Sequence, residues 1–200
     1  MSRIVHSSMA ALAVGILAPS MMPGSAVGAE TQMAEVPPPV AEWEQPEVFR
    51  QGAEPMRTTF DGFETRKGAL SRDVAKSRYH LSLDGAWKFE LSPTPESRPV
   101  DFFRPEFDVS GWGTMEVPGI LQAEGHGRPV FVGSGYPFAR DQPKIDHALN
   151  EVGSYRRDFT IPAHFAGRRL LLTVGAAGAA YYIWVNGQRV GYSEDSKLPA

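Results

Sequence analysis

The chain of 200 residues contains no cysteine. That absence excludes a disulfide framework, a thiolate zinc site and a cysteine nucleophile. No charge of one sign dominates either: 20 Lys and Arg stand against 23 Asp and Glu, a formal net charge of −3. Mild, mixed acidity argues against a nucleic-acid binder. Apolar runs long enough to cross a bilayer core of about 30 Å are missing, as is any long amphipathic helical period. What the chain has in quantity is 20 Gly and 17 Pro, a load that favours short strands and turns over long helices. With 42% hydrophobic and 22% charged residues, the composition is that of a globular chain with one real core.

Self-contained catalytic motifs are also absent. There is no His-Glu-x-x-His pair for zinc. Gly133-Ser134-Gly135 misses the G-x-S-x-G spacing and reads as a turn. Gly125-His126-Gly127 and Gly175-Ala176-Ala177-Gly178 lack the remaining glycines of a phosphate loop. The five histidines, at 6, 80, 126, 147 and 164, show no ligand spacing, and each reads as a surface or internally satisfied group. The acids are scattered, so no acid and nucleophile can be paired by position. By itself the chain does not read as a complete enzyme.

The N-terminus has the pattern of an address. Arg3 and His6 precede an apolar run from Met9 to Ala18, then a Pro/Gly/Ser stretch, then the small residues Val27-Gly28-Ala29 before Glu30. A charged start, a short apolar middle and a small-residue end predict a secretory signal peptide over residues 1–29. The expectation is therefore export to the periplasm or the medium, with no membrane attachment after cleavage. Residues 30–41 read as a linker stiffened by Pro37-Pro38-Pro39. Residues 42–77 form an extended arm in which Trp43, Phe49, Phe60 and Phe63 are spaced like docking anchors. A docked arm and a floppy one both fit that stretch.

From residue 78 to 200 the signals are those of β structure. Trp87, Phe89 and Leu91 alternate with Lys88 and Glu90, the period of two that buries one face of a strand. Tyr155, Arg157, Phe159 and Ile161 repeat the pattern, and Arg168–Val174 (RRLLLTV) predicts a buried strand. The run Ala180–Val185 meets Asn186-Gly187 and returns through Gln188–Tyr192. An Asn-Gly pair between two such runs predicts a hairpin, because both central positions need positive φ. Short strands between Gly/Pro turns predict an all-β, antiparallel sandwich.

One polar cluster follows the hairpin: Glu194-Asp195-Ser196-Lys197. Carboxylates just past a strand end sit at a sandwich rim, where they can accept hydrogen bonds from sugar hydroxyls or join a hard-cation site. A solvated polar turn is the plainer reading of the same four residues.

Several segments in order resemble a known family. They are Ser82–Phe89, Trp112, Val117-Pro118-Gly119, Tyr155–Phe159 and Trp184–Ser196, with Glu42–Pro46 ahead of them. The series is similar to the N-terminal sugar-binding domain of the glycoside hydrolase family 2 β-galactosidases, the large bacterial lactose-cleaving type. The resemblance implies a jelly-roll sandwich beside further domains, with the two catalytic glutamates in a barrel absent from these residues and no catalytic residue in this chain. It implies that the chain is a fragment whose sandwich continues past Ala200 in a longer protein, possessing a β-galactoside substrate and forming a homo-oligomer. It places Asp195 where the family's aspartate contacts the galactosyl unit and a sodium ion. It also implies magnesium, and no organic cofactor. Gly133 stands where the family has a second substrate contact, an asparagine, and Ile120 and Leu121 replace the usual Asn and Trp, which leaves other β-glycosidases open. A free-standing secreted carbohydrate-binding sandwich is the alternative.

Overall fold

The computed structural model describes residues 9–16, 41–55, 58, 60–129, 138, 141–178, 180–195 and 197–200. The described residues form seven strands: β1 (Met9–Ile16), β2 (Arg50–Gln51), β3 (Gly85–Ser92), β4 (Gly113–Val117), β5 (Val152–Phe159), β6 (Tyr181–Val185) and β7 (Gln188–Ser193). They join in one sheet in the order β2-β7-β6-β1-β5-β3-β4. Among the described residues the only α-helix is α1 (Arg66–Ser71), six residues long. The fold is thus all-β, and every pairing except those of β1 is antiparallel.

The alternation in β3 does what its period requires. Trp87 lies opposite Met115 of β4, and Phe89 opposite Tyr155 of β5. Cross-strand partners share a face, so these four side chains form one buried cluster, with Leu83, Leu91, Val117, Leu121, Phe159 and Val185 packed around it. On the other face Lys88 lies opposite Arg156. The adjacent pair Arg156-Arg157 therefore sends one guanidinium to each side. Arg156 donates to the carbonyls of Phe107 (2.8 Å), Arg104 (3.0 Å) and Pro105 (2.6 Å). These bonds hold the 99–112 segment on the sheet, where Phe102 is buried among Phe103, Phe107, Trp112 and Trp184. Arg157 donates to the carbonyls of Leu83 (2.7 Å) and Asp84 (2.8 Å), fastening the entry to β3.

The β6–β7 hairpin turns on Asn186 (φ 51°) and Gly187 (φ 83°), the two positive values that the Asn-Gly pair predicts. The arm lies against the same end of the sheet. Trp43 and Val48 pack on the cluster of Val152, Ala180 and Tyr192, and β2 pairs with β7, Arg50 opposite Ser193 and Gln51 opposite Tyr192. Phe49 and Phe60 are exposed.

Two elements depart from the sequence reading. Arg168–Val174 is not a buried strand: it is irregular, and Leu170, Leu171 and Leu172 are exposed. Its composition suits a strand, but a strand forms only against a partner. The described chain offers one at a single point, where Val174 and Ala200 exchange N–H···O bonds of 2.7 and 3.0 Å. The second departure is from antiparallel order, at β1. The apolar run expected inside the leader is placed between β5 and β6, parallel to both. The Ala29 cleavage position, residues 30–40 of the 30–41 linker and Gly133 lie outside the described residues.

Candidate functional site

The site is built where β7 ends. Tyr192 and Ser193 are buried, and the chain leaves the sheet at Glu194-Asp195. The arm backs this exit, since the Phe49 carbonyl accepts the Glu194 N–H at 3.0 Å. The Tyr192 hydroxyl donates to the Glu194 carboxylate at 2.9 Å. Burial, with the neighbouring Asp195 charge, pushes the Glu194 carboxyl up despite that hydrogen bond. The two adjacent carboxyls therefore differ in role: Glu194 is tied inward to Tyr192.

Asp195 is not tied. Its backbone N–H donates to Ser193 Oγ at 3.3 Å and its carbonyl accepts the Leu198 N–H at 3.4 Å, which shapes the turn. Its half-buried carboxylate has no hydrogen-bond or ion-pair partner among the described residues. The Tyr181 hydroxyl is buried at the same end of the sheet, where Tyr181 lies opposite Ser193. Burial raises the Tyr181 phenol, against a hydrogen bond with Ser193 and the Arg50 charge, which lower it, and the Asp195 charge adds a smaller push upward. A half-buried carboxylate with open lone pairs can accept from the hydroxyls of a sugar.

A cation is a different matter. Hard cations take a shell of several oxygens. Among the described residues no group of three or more His, Asp or Glu converges. The described residues supply the Asp195 oxygens toward sodium and no complete shell, and they hold no candidate shell for magnesium.

Sequence reasoning missed the polar network that fastens the arm. Glu42 accepts hydrogen bonds from Tyr182 (2.8 Å) and Arg189 (2.7 Å), and Arg189 also donates to Gln51 (2.8 Å). Burial works to raise the Glu42 carboxyl, but the bonds from Tyr182 and Arg189 outweigh it and hold it below its ordinary range. His147 stands between two carboxylates, Glu44 of the arm and Glu96. No local pattern signals either network, because the partners are far apart in the chain. The aromatic Trp43 between two glutamates was the one hint.

A family model described as the sugar binding domain of glycosyl hydrolases family 2 matches residues 80–200. Among curated proteins, a β-galactosidase of Psychromonas ingrahamii is 35% identical over 159 residues, which is 80% of this chain and 15% of that protein. The β-galactosidase large subunit of Leuconostoc lactis is 33% identical over 177 residues, 78% of this chain and 27% of that subunit. A β-galactosidase of Halalkalibacterium halodurans is 35% identical over 157 residues, 76% of this chain and 15% of its own length. The chain thus spans between about one seventh and one quarter of the relatives it matches.

Proposed function

The chain belongs to glycosyl hydrolase family 2 through its sugar-binding domain, and from that premise we propose that it is the N-terminal part of a β-galactosidase. The whole protein would hydrolyse terminal non-reducing β-D-galactose residues, lactose included, with retention. Retention needs two carboxyls about 5–5.5 Å apart across the sugar, and that pair would come from the other domains of the same protein. This chain would supply one wall of the active site and a surface for assembly, including homo-oligomer contacts. The half-buried Asp195 carboxylate, open to a ligand at the sheet rim, is the observation that carries the reading. The exposed Leu170–Leu172 run beside the Val174–Ala200 pair supports the assembly role, since such a run suits cover by further chain. A free-standing carbohydrate-binding sandwich is less well supported, because the three relatives are named as β-galactosidases or a subunit of one.

Asp195 would also lend one oxygen contact to a sodium ion whose remaining ligands lie in other domains; no chemical step is assigned to it. Magnesium would bind elsewhere in the whole protein. Export by the 1–29 leader, to the periplasm or the medium, completes the reading, and cleavage after Ala29 would take β1 out of the sheet and open the facing edges of β5 and β6. The test is Asp195→Ala in the full-length protein with a chromogenic β-galactoside. Losing hydrogen bonds to a charged group is worth about 1.5–3 kcal/mol, so kcat/KM should fall about 10–150-fold with the thermal midpoint unchanged. An unchanged rate would overturn the substrate role. A rate indifferent to sodium would remove the cation contact.

A further inference from the structure

His147 lies in a 3-10 turn (His147–Leu149) whose N-cap, Asp146, accepts the Ala148 N–H. Its ring meets two carboxylates from different parts of the chain. Nε2 is 3.2 Å from Glu44 of the arm, and Nδ1 contacts Glu96. Among the described residues these two are the charged groups that face the ring, and the Trp43 indole covers it with centroids 4.8 Å apart. Glu44 also accepts the Ile145 N–H at 3.0 Å, on the same carboxylate oxygen that meets Nε2.

We propose that His147 is a proton-operated clasp. Bridging Glu44 and Glu96, the protonated ring holds the arm on the sheet in mildly acidic solution, and on losing its proton it loosens the arm. An imidazolium donates from both nitrogens, whereas the neutral ring has one donor to share between two carboxylates. Deprotonation therefore leaves one carboxylate facing a lone pair. Burial opposes the charge on His147, but the bonds to Glu96 and Glu44 prevail and lift its pKa above the ordinary 6.5. The clasp is then fully closed below about 6.5 and is lost as pH rises through the raised value.

The consequence reaches the site. The Phe49 carbonyl holds the Glu194 N–H, and β2 pairs with β7 just before Asp195. A loosened arm frees the strand end that carries Asp195. The clasp itself stands apart from the glycosidase reading, and its test needs no sugar.

The chain has no cysteine, so the exposed positions Glu47 and Leu198 each take a single maleimide fluorophore after Glu47→Cys or Leu198→Cys. Fluorescence anisotropy is then followed from pH 5.5 to 8.5. Both labels should lose anisotropy with one shared midpoint above 6.5. Glu96 is mostly exposed, so Glu96→Gln leaves the fold intact and should move the midpoint down toward 6.5. His147→Gln should flatten the curve. A flat curve in the parent chain, or an identical curve in His147→Gln, would overturn the proposal.

Discussion

Replacing Glu42 with alanine tests the arm's docking most directly. The Glu42 side chain is 11% exposed and its partner Arg189 21%, so the pair sits largely away from water. Breaking a fully buried pair by removing one partner costs about 3–5 kcal/mol, because the other charge is stranded. Here the loss is smaller, since Arg189 keeps its bond to Gln51 and its place over the Tyr182 ring, 4.9 Å from the centroid. The Tyr182 hydroxyl loses its acceptor. We expect about 2–3 kcal/mol, a fall in thermal midpoint of about 5–10 °C for a domain of this size. The assay is urea unfolding followed by tryptophan fluorescence on Glu42→Ala, Arg189→Met and the double variant. The double variant should lose at least about 1 kcal/mol less than the sum of the singles. The pH dependence has a definite sign. A carboxyl held below its ordinary 4.5 stabilises the fold above that value and loses its contribution as pH falls through the depressed one. In Glu42→Ala the acid limb of the stability profile should therefore flatten. A change under about 0.5 kcal/mol, with no coupling to Arg189, would refute the docking of the arm.

Phe102→Ala should cost about 3–5 kcal/mol by urea unfolding, as it empties a buried site stacked on Trp112 and set edge-on to Trp184; a loss under about 1 kcal/mol would count against that cluster as core. A chain starting at Glu30 lacks β1, and with it eight register pairs on β5 and five on β6. At about 0.5–1.5 kcal/mol per backbone hydrogen bond, such a chain should unfold at a lower urea midpoint or aggregate through the two opened edges. An unchanged midpoint would show that β1 contributes nothing to the sheet.

Much of this was legible residue by residue. The two-residue period of Trp87, Phe89 and Leu91 named the buried face of β3, and Asn186-Gly187 named the hairpin, because each signal is complete within a few residues. Asp195 was visible as a carboxylate past a strand end, though its open coordination was not. The arm's fastenings were invisible: Glu42 and Arg189 are 147 positions apart, and His147 is 103 from Glu44 and 51 from Glu96. The RRLLLTV run shows the opposite failure, in which a correct local preference goes unrealised for want of a partner along its length.

By itself the sequence determined the β character, the turns and the absence of thiol chemistry, since backbone dihedral preference and side-chain period act over short distances. Only the tertiary structure decided which carboxylates are tied and which is open. Glu42, Glu44 and Glu194 each find a donor, while Asp195 is left half-buried without one among the described residues. Four acids alike in composition become different because charge and hydrogen bonding depend on distance in space, and the fold alone sets that distance.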